Sequence, residues 1–201
     1  MLDGPTGNDA STRPNQIFAV SLAHSPLAPE QQAAVVAVCA RELLTSHGLR
    51  SLSPLHPEYR PQYRGGVWER DASYHQGTVW PWLLGHYAIA EYRVTGNAAL
   101  AISRLEPLAD HLRDAGLGTI SEIFDAAAPH HPRGAPSQAW SVACVLNAWQ
   151  HLTRIRSKDS QHRRSDPANV PPESGLCPID AQCRVPCLRR RTGRCVPFSQ
   201  L

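Results

Sequence analysis

The sequence predicts an all-α fold. Four stretches space their apolar residues as a helix does, and no stretch alternates apolar and polar residues as a half-buried strand does. Loops rich in proline and glycine separate the four stretches, as expected for helices that bury broad faces against one another. At 201 residues, the chain is long enough for one ordinary domain, or one domain with a tail.

The first helix is predicted over residues 30–47. Four apolar residues lie at offsets of three, four and seven positions and therefore share one face: Val36, Cys39, Ala40 and Leu43. Pro29 suits the first turn of this helix, and Gly48 suits a left-handed end after His47.

Residues 51–75 are expected to form one long loop. Five residues in this segment interrupt regular structure: Pro54, Pro57, Pro61, Gly65 and Gly66. Loops longer than about 12–15 residues are usually functional or disordered. The three tyrosines and one tryptophan in this segment favour a functional loop.

Two further helices are predicted over residues 78–96 and 97–116. Pro81 is tolerated in the first turn of one, and Gly96 ends it. Asn97 caps the other, which should kink at Pro107. Its inward residues are expected to be Ala101, Leu105, Leu108 and Leu112.

The fourth helix is predicted over residues 137–152, after a second loop rich in proline and glycine at 116–136. One side of this helix is apolar and is expected to be buried: Val142, Val145, Leu146, Trp149 and Leu152.

Composition divides the chain into three parts. Residues 1–12 are rich in Gly, Asp, Ser and Thr and are expected to be a disordered N-terminus, whereas residues 13–152 form the domain. Residues 153–201 hold 10 Lys and Arg against 4 Asp and Glu, six prolines, and only nine Ile, Leu, Val and Phe. This segment has too little apolar surface to offset the entropy cost of folding, so a basic, Cys- and Pro-rich disordered tail is expected.

Several classes of protein are not expected. No apolar run approaches the roughly 18 residues of a membrane span, and residues 1–5 lack the features of a secretory signal, so a cytoplasmic protein is expected. The arginine runs at 163–164 and 189–191 lack interleaved aromatic residues, so nucleic acid is not an expected partner.

The cysteines do not suggest a cofactor. Four of them lie in the tail with 5, 3 and 7 intervening residues, which is not the paired spacing of a zinc site: Cys177, Cys183, Cys187 and Cys195. We therefore expect free thiols and no metal or other cofactor.

A candidate binding site lies in residues 63–82, where aromatic and polar side chains are concentrated. Sugars stack their apolar faces on aromatic rings, and their hydroxyl groups form directional hydrogen bonds. The candidate stacking rings are Trp68, Trp80 and Trp82, and the candidate hydroxyl-binding side chains are Asp71, His75 and Gln76.

Each of these residues also has a simpler interpretation. The tryptophans are equally consistent with core packing. His75 and Gln76 are consistent with capping of a loop, and Arg70 with Asp71 is consistent with a structural ion pair.

Glu122 is a candidate catalytic base. Its neighbours Ile120, Ile123 and Phe124 are apolar, and such surroundings favour a carboxyl group that exchanges protons. The alternative is a glutamate that caps a helix or pairs with a cation.

Five segments occur in an order and spacing that resemble one family. They are Arg13–Gln16, His75–Leu83, Ile120–Asp125, Pro129–Gly134 and Gln138–Ala143. Together, over about residues 13–152, they resemble the C-terminal end of the glucosidase domain of glycogen debranching enzymes, the amylo-α-1,6-glucosidases.

The resemblance implies a partial (α/α)6 toroid, of which this chain would hold roughly the last five helices. It implies inverting hydrolysis of the α-1,6-linked glucose at a branch stub of glycogen, a limit dextrin or a related α-glucan. Glu122 matches the general base of the family, and His75, Trp80 and Trp82 match residues that line its pocket.

The chain also departs from the family pattern. The family usually has Phe-Asp-Gly after the base, whereas Asp125 is followed here by Ala126. Inverting hydrolysis needs two carboxyl groups about 6.5–9.5 Å apart. The resemblance implies that the general acid belongs to a part preceding Arg13, and Asp71 is the one attractive substitute.

We therefore expect a fragment that is inactive alone and whose partner is the missing N-terminal part of the enzyme. Two alternatives stay open: a carbohydrate-binding remnant without turnover, and a piece that complements a separately encoded subunit.

Overall fold

The computed structural model describes residues 9–115 and 117–165 and two short strands at 187–189 and 195–197. Contacts divide the chain into two units, Met1–Gln161 and His162–Leu201. Within the described residues, helices dominate the first unit, which also contains a small antiparallel sheet.

The first helices lie at the start of this unit. A 3-10 turn, Pro14–Ile17, leads into α1 (Phe18–Ser21). Helix α2 (Pro29–Val38) continues as a π-helical turn, Cys39–Leu43. Pro29 occupies the first position of α2, as predicted. The helical segment ends at Leu43, however, and not at the predicted Gly48.

The prediction of an all-α fold is confirmed only in part: the described domain is rich in helix, but a five-stranded sheet runs through it. Its strands pair antiparallel in chain order: β1 (Leu44–Thr45), β2 (Gly48–Arg50), β3 (Val79–Trp80), β4 (Ile123–Phe124) and β5 (Pro132–Arg133). Strands of two or three residues are too short to show an alternating pattern, so no strand was predicted here.

Gly48 has a different role from the predicted helix end. Its φ of +155° is unusual for a residue with a side chain, and a Cβ there would overlap the Trp80 carbonyl. Glycine at this position therefore lets β2 lie close to the chain around Trp80.

The segment 51–75 is not one continuous loop. Its last part forms helix α3 (Val67–Tyr74), which begins directly after Gly65 and Gly66. All the helix-breaking residues of the segment precede α3, so they define where the helix begins and do not forbid it.

Helix α4 (Trp82–Thr95) ends as predicted at Gly96, which takes the left-handed conformation with φ of 67°. Asn97 then caps α5 (Ala98–Ser103) by accepting a hydrogen bond from the Leu100 amide, also as predicted.

The predicted third helix is two helices and not one kinked helix. The chain breaks after Ser103 and resumes as α6 (Glu106–Asp114), with Pro107 in the first turn of α6. Proline lacks the amide needed in a helix interior, so a new helix starts at this point.

The last helix of the unit, α7 (Ala139–Ser165), is longer than predicted. It continues past Leu152, so the prediction of disorder is wrong for residues 153–165. Two residues predicted to be buried, Leu146 and Trp149, are instead 51% and 42% exposed, whereas Leu152 is fully buried. The rest of the predicted tail, apart from two short strands, lies outside the described residues.

Helix α4 separates two apolar clusters. On one side, Tyr87 and Leu83 pack with residues of α1 and α2, such as Val20 and Val36. On the other side, the cluster joins α4 to α5, α6 and α7 and includes Leu84, Ala88, Ala101, Leu108 and Ala148. Helix α4 is therefore the central element of the domain, and β3 directly precedes it.

The described start of the domain is held by a backbone hydrogen bond. The Thr12 carbonyl accepts a hydrogen bond from the Ser53 amide, so the described end of the predicted disordered N-terminus is held in place. Residues 1–8 lie outside the described part.

Cys39 and Cys144 are free thiols, as expected. None of the described helices is both long enough and apolar enough to cross a bilayer.

The second unit contains a short hairpin. Strands β6 (Cys187–Arg189) and β7 (Cys195–Pro197) pair antiparallel, with Leu188 opposite Val196.

Candidate active site

Three tryptophans form one wall of a cleft that we call the aromatic cleft. Its volume is about 340 Å³, and its lining comprises Arg13, Pro14, Asn15, Ser51, His75, Trp80, Trp82, Leu83 and Trp140. The cleft brings together three of the predicted site residues: His75, Trp80 and Trp82. It does not include the predicted Asp71 and Gln76, nor Glu122.

The tryptophans support one another through ring contacts. Trp82 stacks on Trp140 with centroids 5.1 Å apart and an interplanar angle of 22°. His75 stacks almost parallel on Trp80 at 5.5 Å. Trp80 is 4% exposed and belongs to the core, so the core-packing interpretation holds for it even though its ring reaches the cleft.

Arg13 lines the aromatic cleft and forms hydrogen bonds with neighbouring segments. Its guanidinium donates hydrogen bonds to the Ser51 carbonyl at 3.2 Å, the His75 carbonyl at 2.8 Å and Gln76 Oε1 at 2.9 Å. The side chain thus ties the N-terminal segment to the segments around Ser51 and His75. Because its donors are used in this way, Arg13 shapes the cleft more than it offers a free charge to a ligand.

Glu122 lies one side chain behind the aromatic cleft, just before β4. Three donors hold its carboxylate: the Tyr74 hydroxyl and Gln138 Nε2, at 3.3 Å, on Oε1, and the Ala135 amide, at 2.8 Å, on Oε2. The Tyr74 ring contacts Trp80 edge-on at 4.9 Å. Tyr74 therefore connects the carboxylate to the wall of the cleft.

The Tyr74 phenol is suited to donate this hydrogen bond because it retains its proton. Burial, together with the hydrogen bond to Glu122 and its negative charge, raises the pKa of the Tyr74 phenol above its ordinary value. The Thr78 hydroxyl and the Trp80 indole donate to the Tyr74 carbonyl at 2.5 and 3.3 Å. Both ends of the residue are thus fixed.

Asp125, three residues after Glu122, forms hydrogen bonds that stabilise the segment carrying Glu122. Oδ2 of this buried carboxylate accepts two hydrogen bonds from the Arg133 guanidinium, at 2.9 and 3.0 Å. Oδ1 accepts a hydrogen bond from the Tyr63 amide at 2.8 Å. The segment in which Ala126 follows Asp125 is therefore held by an ion pair.

Asp71 and Gln76 face a separate polar cleft of about 530 Å³, lined by Pro57, Glu58, Tyr59, Arg60, Asp71, Ala72 and Gln76. Gln76 accepts a hydrogen bond from Arg13 and donates one to Glu58 Oε2 at 3.2 Å, so its amide links the segments that carry these two residues. Among the described residues, no ion pair joins Arg70 to the exposed Asp71.

The lining of the aromatic cleft, as far as the structure describes it, contains no carboxyl group. The described residues also contain no group of three or more His, Cys, Asp or Glu side chains that could hold a metal ion. The chemistry available at the cleft is therefore aromatic stacking and hydrogen bonding, with Glu122 as a nearby carboxylate.

Comparison with known proteins assigns the family. A family model described as amylo-alpha-1,6-glucosidase matches residues 2–147, which is more than half of the chain. The chain belongs to the amylo-alpha-1,6-glucosidase family. The match begins earlier than the predicted boundary at Arg13 and ends near the predicted boundary at Leu152.

One relative is much longer than this chain. The glycogen debranching enzyme of Saccharomyces cerevisiae is 24% identical over 180 residues, a region that covers 78% of this chain and 12% of that enzyme. The present chain thus spans a small part of the length of this relative.

Three residues of the site were not predicted from the sequence: Arg13, Tyr74 and Trp140. Arg13 and Trp140 lie in segments that carry the family resemblance, so that resemblance was the available signal. Tyr74 precedes such a segment by one residue, and only its contact with Glu122 reveals a role.

Proposed function

We propose that this chain supplies the general-base side of a glucosidase site that hydrolyses α-1,6-linked glucosyl stubs of glycogen or a related α-glucan with inversion. Glu122 is the base, and the aromatic cleft binds glucosyl units through Trp82 and Trp140. The observation that carries the proposal is a carboxylate held by three donors, one of which, Tyr74, contacts the Trp80 wall of the aromatic cleft. Membership of the family supplies the substrate class.

In the proposed reaction, the Glu122 carboxylate takes a proton from a water molecule while the water oxygen attacks C1 of the glucosyl ring. The bond from C1 to the leaving oxygen breaks, and a general acid protonates that oxygen. The fixed position of Glu122 serves this step, because a base acts only within hydrogen-bond reach of the proton it removes.

The general acid is proposed to come from the part of the enzyme that this chain does not contain. Asp71, the substitute considered from the sequence, faces the polar cleft and not the aromatic one. We propose that the chain is part of an (α/α)6 toroid and that an N-terminal part of a debranching enzyme is its partner. Alone, the chain is expected to release no glucose from a limit dextrin.

The test uses a substrate whose hydrolysis needs no general acid to protonate the leaving group. Fluoride leaves α-glucosyl fluoride without being protonated, so hydrolysis of this compound by the full chain isolates the base. We expect release of fluoride with β-glucose as the first product, detected by NMR. Glu122→Gln should lower kcat by about 10²–10⁴-fold, the usual range for loss of a general base.

Glu106→Gln is the matched control, because it removes an exposed carboxylate from α6 and should leave the rate unchanged. Equal rates for wild type and Glu122→Gln would refute the proposed base.

A second candidate function is carbohydrate binding without turnover. The absence of a carboxyl group from the described lining of the aromatic cleft favours it. Calorimetry with maltooligosaccharides distinguishes the two functions, since binding without fluoride release from α-glucosyl fluoride would support a binding module.

A further inference from the structure

The two oxygens of the Glu122 carboxylate differ in how many hydrogen bonds they accept. Each carboxylate oxygen offers about two acceptor sites. Oε1 receives the Tyr74 hydroxyl and Gln138 Nε2, so both of its sites are filled. Among the donors of the described residues, Oε2 receives the Ala135 amide alone, so these residues leave one of its sites unfilled.

The unfilled site also lies on the more accessible side of the carboxylate. The two bonds to Oε1 are partly buried between Tyr74 and Gln138, whereas the bond from Ala135 to Oε2 lies at the exposed surface. A water molecule can approach Oε2 without displacing a protein donor, but it cannot approach Oε1 in the same way.

Gly134 leaves room for Oε2 itself. A Cβ at this position would overlap Oε2 and would lie 3.1 Å from both Cβ and Cδ of Glu122. Glycine is also favoured by the left-handed φ of 68°, but that conformation alone would tolerate an asparagine. The overlap with the carboxylate is a separate reason for the missing side chain.

We infer that Oε2 of Glu122 is the atom that takes the proton from water, with Tyr74 and Gly134 as positioning residues. Tyr74 donates to Oε1 and fixes the plane of the carboxylate, and Gly134 leaves the space that Oε2 occupies, so that Oε2 stays in this position. This inference rests on the proposed function, because it names the reacting atom of the proposed base.

The main test is Gly134→Ala in the full chain, assayed with α-glucosyl fluoride. The added methyl group should push the carboxylate aside, and misplacement by about 1 Å can lower a rate by about 10²-fold. We therefore expect kcat to fall by about that factor while KM changes little.

Gly96→Ala is the matched control. Gly96 has a φ of 67°, almost the same as that of Gly134, but nothing lies within 4 Å of a Cβ placed there. Both variants therefore carry the same backbone strain, and only Gly134→Ala should lose kcat. Equal kcat values for the two variants would overturn the inference.

Tyr74→Phe provides a second measurement, which decides the matter where Gly134→Ala fails to fold. Loss of the donor on Oε1 lets the plane of the carboxylate turn, so kcat for α-glucosyl fluoride should fall while KM stays unchanged. Tyr63→Phe, which removes a hydroxyl from the neighbouring ring, should leave kcat unchanged. An unchanged kcat in Tyr74→Phe would overturn the inference.

The experiments distinguish failure of the proposed function from failure of the assignment of Oε2. If wild type releases no fluoride, or releases it as fast as Glu122→Gln, the proposed function fails and the inference fails with it. If Glu122→Gln is impaired while Gly134→Ala and Tyr74→Phe match their controls, only the assignment of Oε2 fails.

Discussion

Asp125 is the residue that most directly stabilises the segment carrying Glu122. Its side chain is 5% exposed, and its partner Arg133 is 38% exposed. Oδ2 accepts two hydrogen bonds from Arg133, and Oδ1 accepts the Tyr63 amide. Three charge-assisted hydrogen bonds converge on one buried carboxylate, so the group joins β4, β5 and the segment before α3.

We expect Asp125→Asn to lower the free energy of unfolding by about 2–3 kcal/mol. In either orientation, the NH2 group of the asparagine would face a donor, the Arg133 guanidinium or the Tyr63 amide, and leave it unpaired, although the exposure of Arg133 moderates the loss. Urea denaturation measures the change. Asp110→Asn is the control, because Asp110 pairs with Arg113 at 3.9 Å while 85% exposed and should contribute almost nothing. Similar losses in both variants would contradict the role given to Asp125.

At the residue scale, the sequence could identify types of side chain but not their partners. Glu122 was a candidate because of its apolar neighbours and the family resemblance. The donors that hold it come from Tyr74, Ala135 and Gln138, and no local pattern links these positions. Gln76 shows the opposite case, since an amide that suits sugar binding is instead used between Arg13 and Glu58.

At the scale of elements, local signals predicted helix ends well where one residue decides the end. Gly96 and Asn97 act through their own backbone and side chain, and both were confirmed. The strands were missed because each of them is defined by pairing with a distant segment, such as Leu49 with Trp80. The end of α2 was misplaced for the same reason, since β1 begins where pairing with β2 becomes possible.

The contact between α4 and α7 gives a testable prediction at Gly85. A Cβ at Gly85 would overlap the Cys144 carbonyl and lie 3.3 Å from the Val145 amide nitrogen. Alanine in a helix interior is otherwise favoured over glycine by about 1 kcal/mol. Overpacking against a backbone typically costs about 1–3 kcal/mol, so Gly85→Ala should lower the melting temperature. A higher melting temperature would mean that helix propensity outweighs the contact and that α4 and α7 are not packed this closely.

At the scale of the whole domain, the small sheet explains why distant motifs meet. Strand β3 pairs with β2 and β4, so Val79 lies opposite both Arg50 and Phe124. This pairing brings the end of α3, the start of α4 and the segment of Glu122 together. The family resemblance indicated that these segments belong to one site, but the means of bringing them together became apparent only from the strand register.

Three histidines from separate parts of the domain also meet beside this sheet. His47 lies with its ring 4.7 Å from Phe124, 5.6 Å from His130 and 6.3 Å from His111. Burial, with repulsion from His130 and His111, lowers the pKa of His47 from 6.5 to about 4. Burial also lowers the pKa of His111, which Asp114 partly opposes. His47 and His111 are therefore neutral in the folded domain at pH values where the unfolded chain would bind protons.

The domain should consequently lose stability as the pH falls from about 6.5 towards 4. The unfolded chain takes up the proton first, so the contribution of neutral His47 is complete above the unfolded pKa and decreases below it. Melting temperatures measured between pH 7 and 5 should show this slope, and His47→Phe, which keeps a ring beside Phe124, should flatten it. His24→Asn changes an exposed histidine and should leave the slope as in wild type. Parallel slopes for wild type and His47→Phe would show that acid destabilises the domain through other groups and not through this cluster.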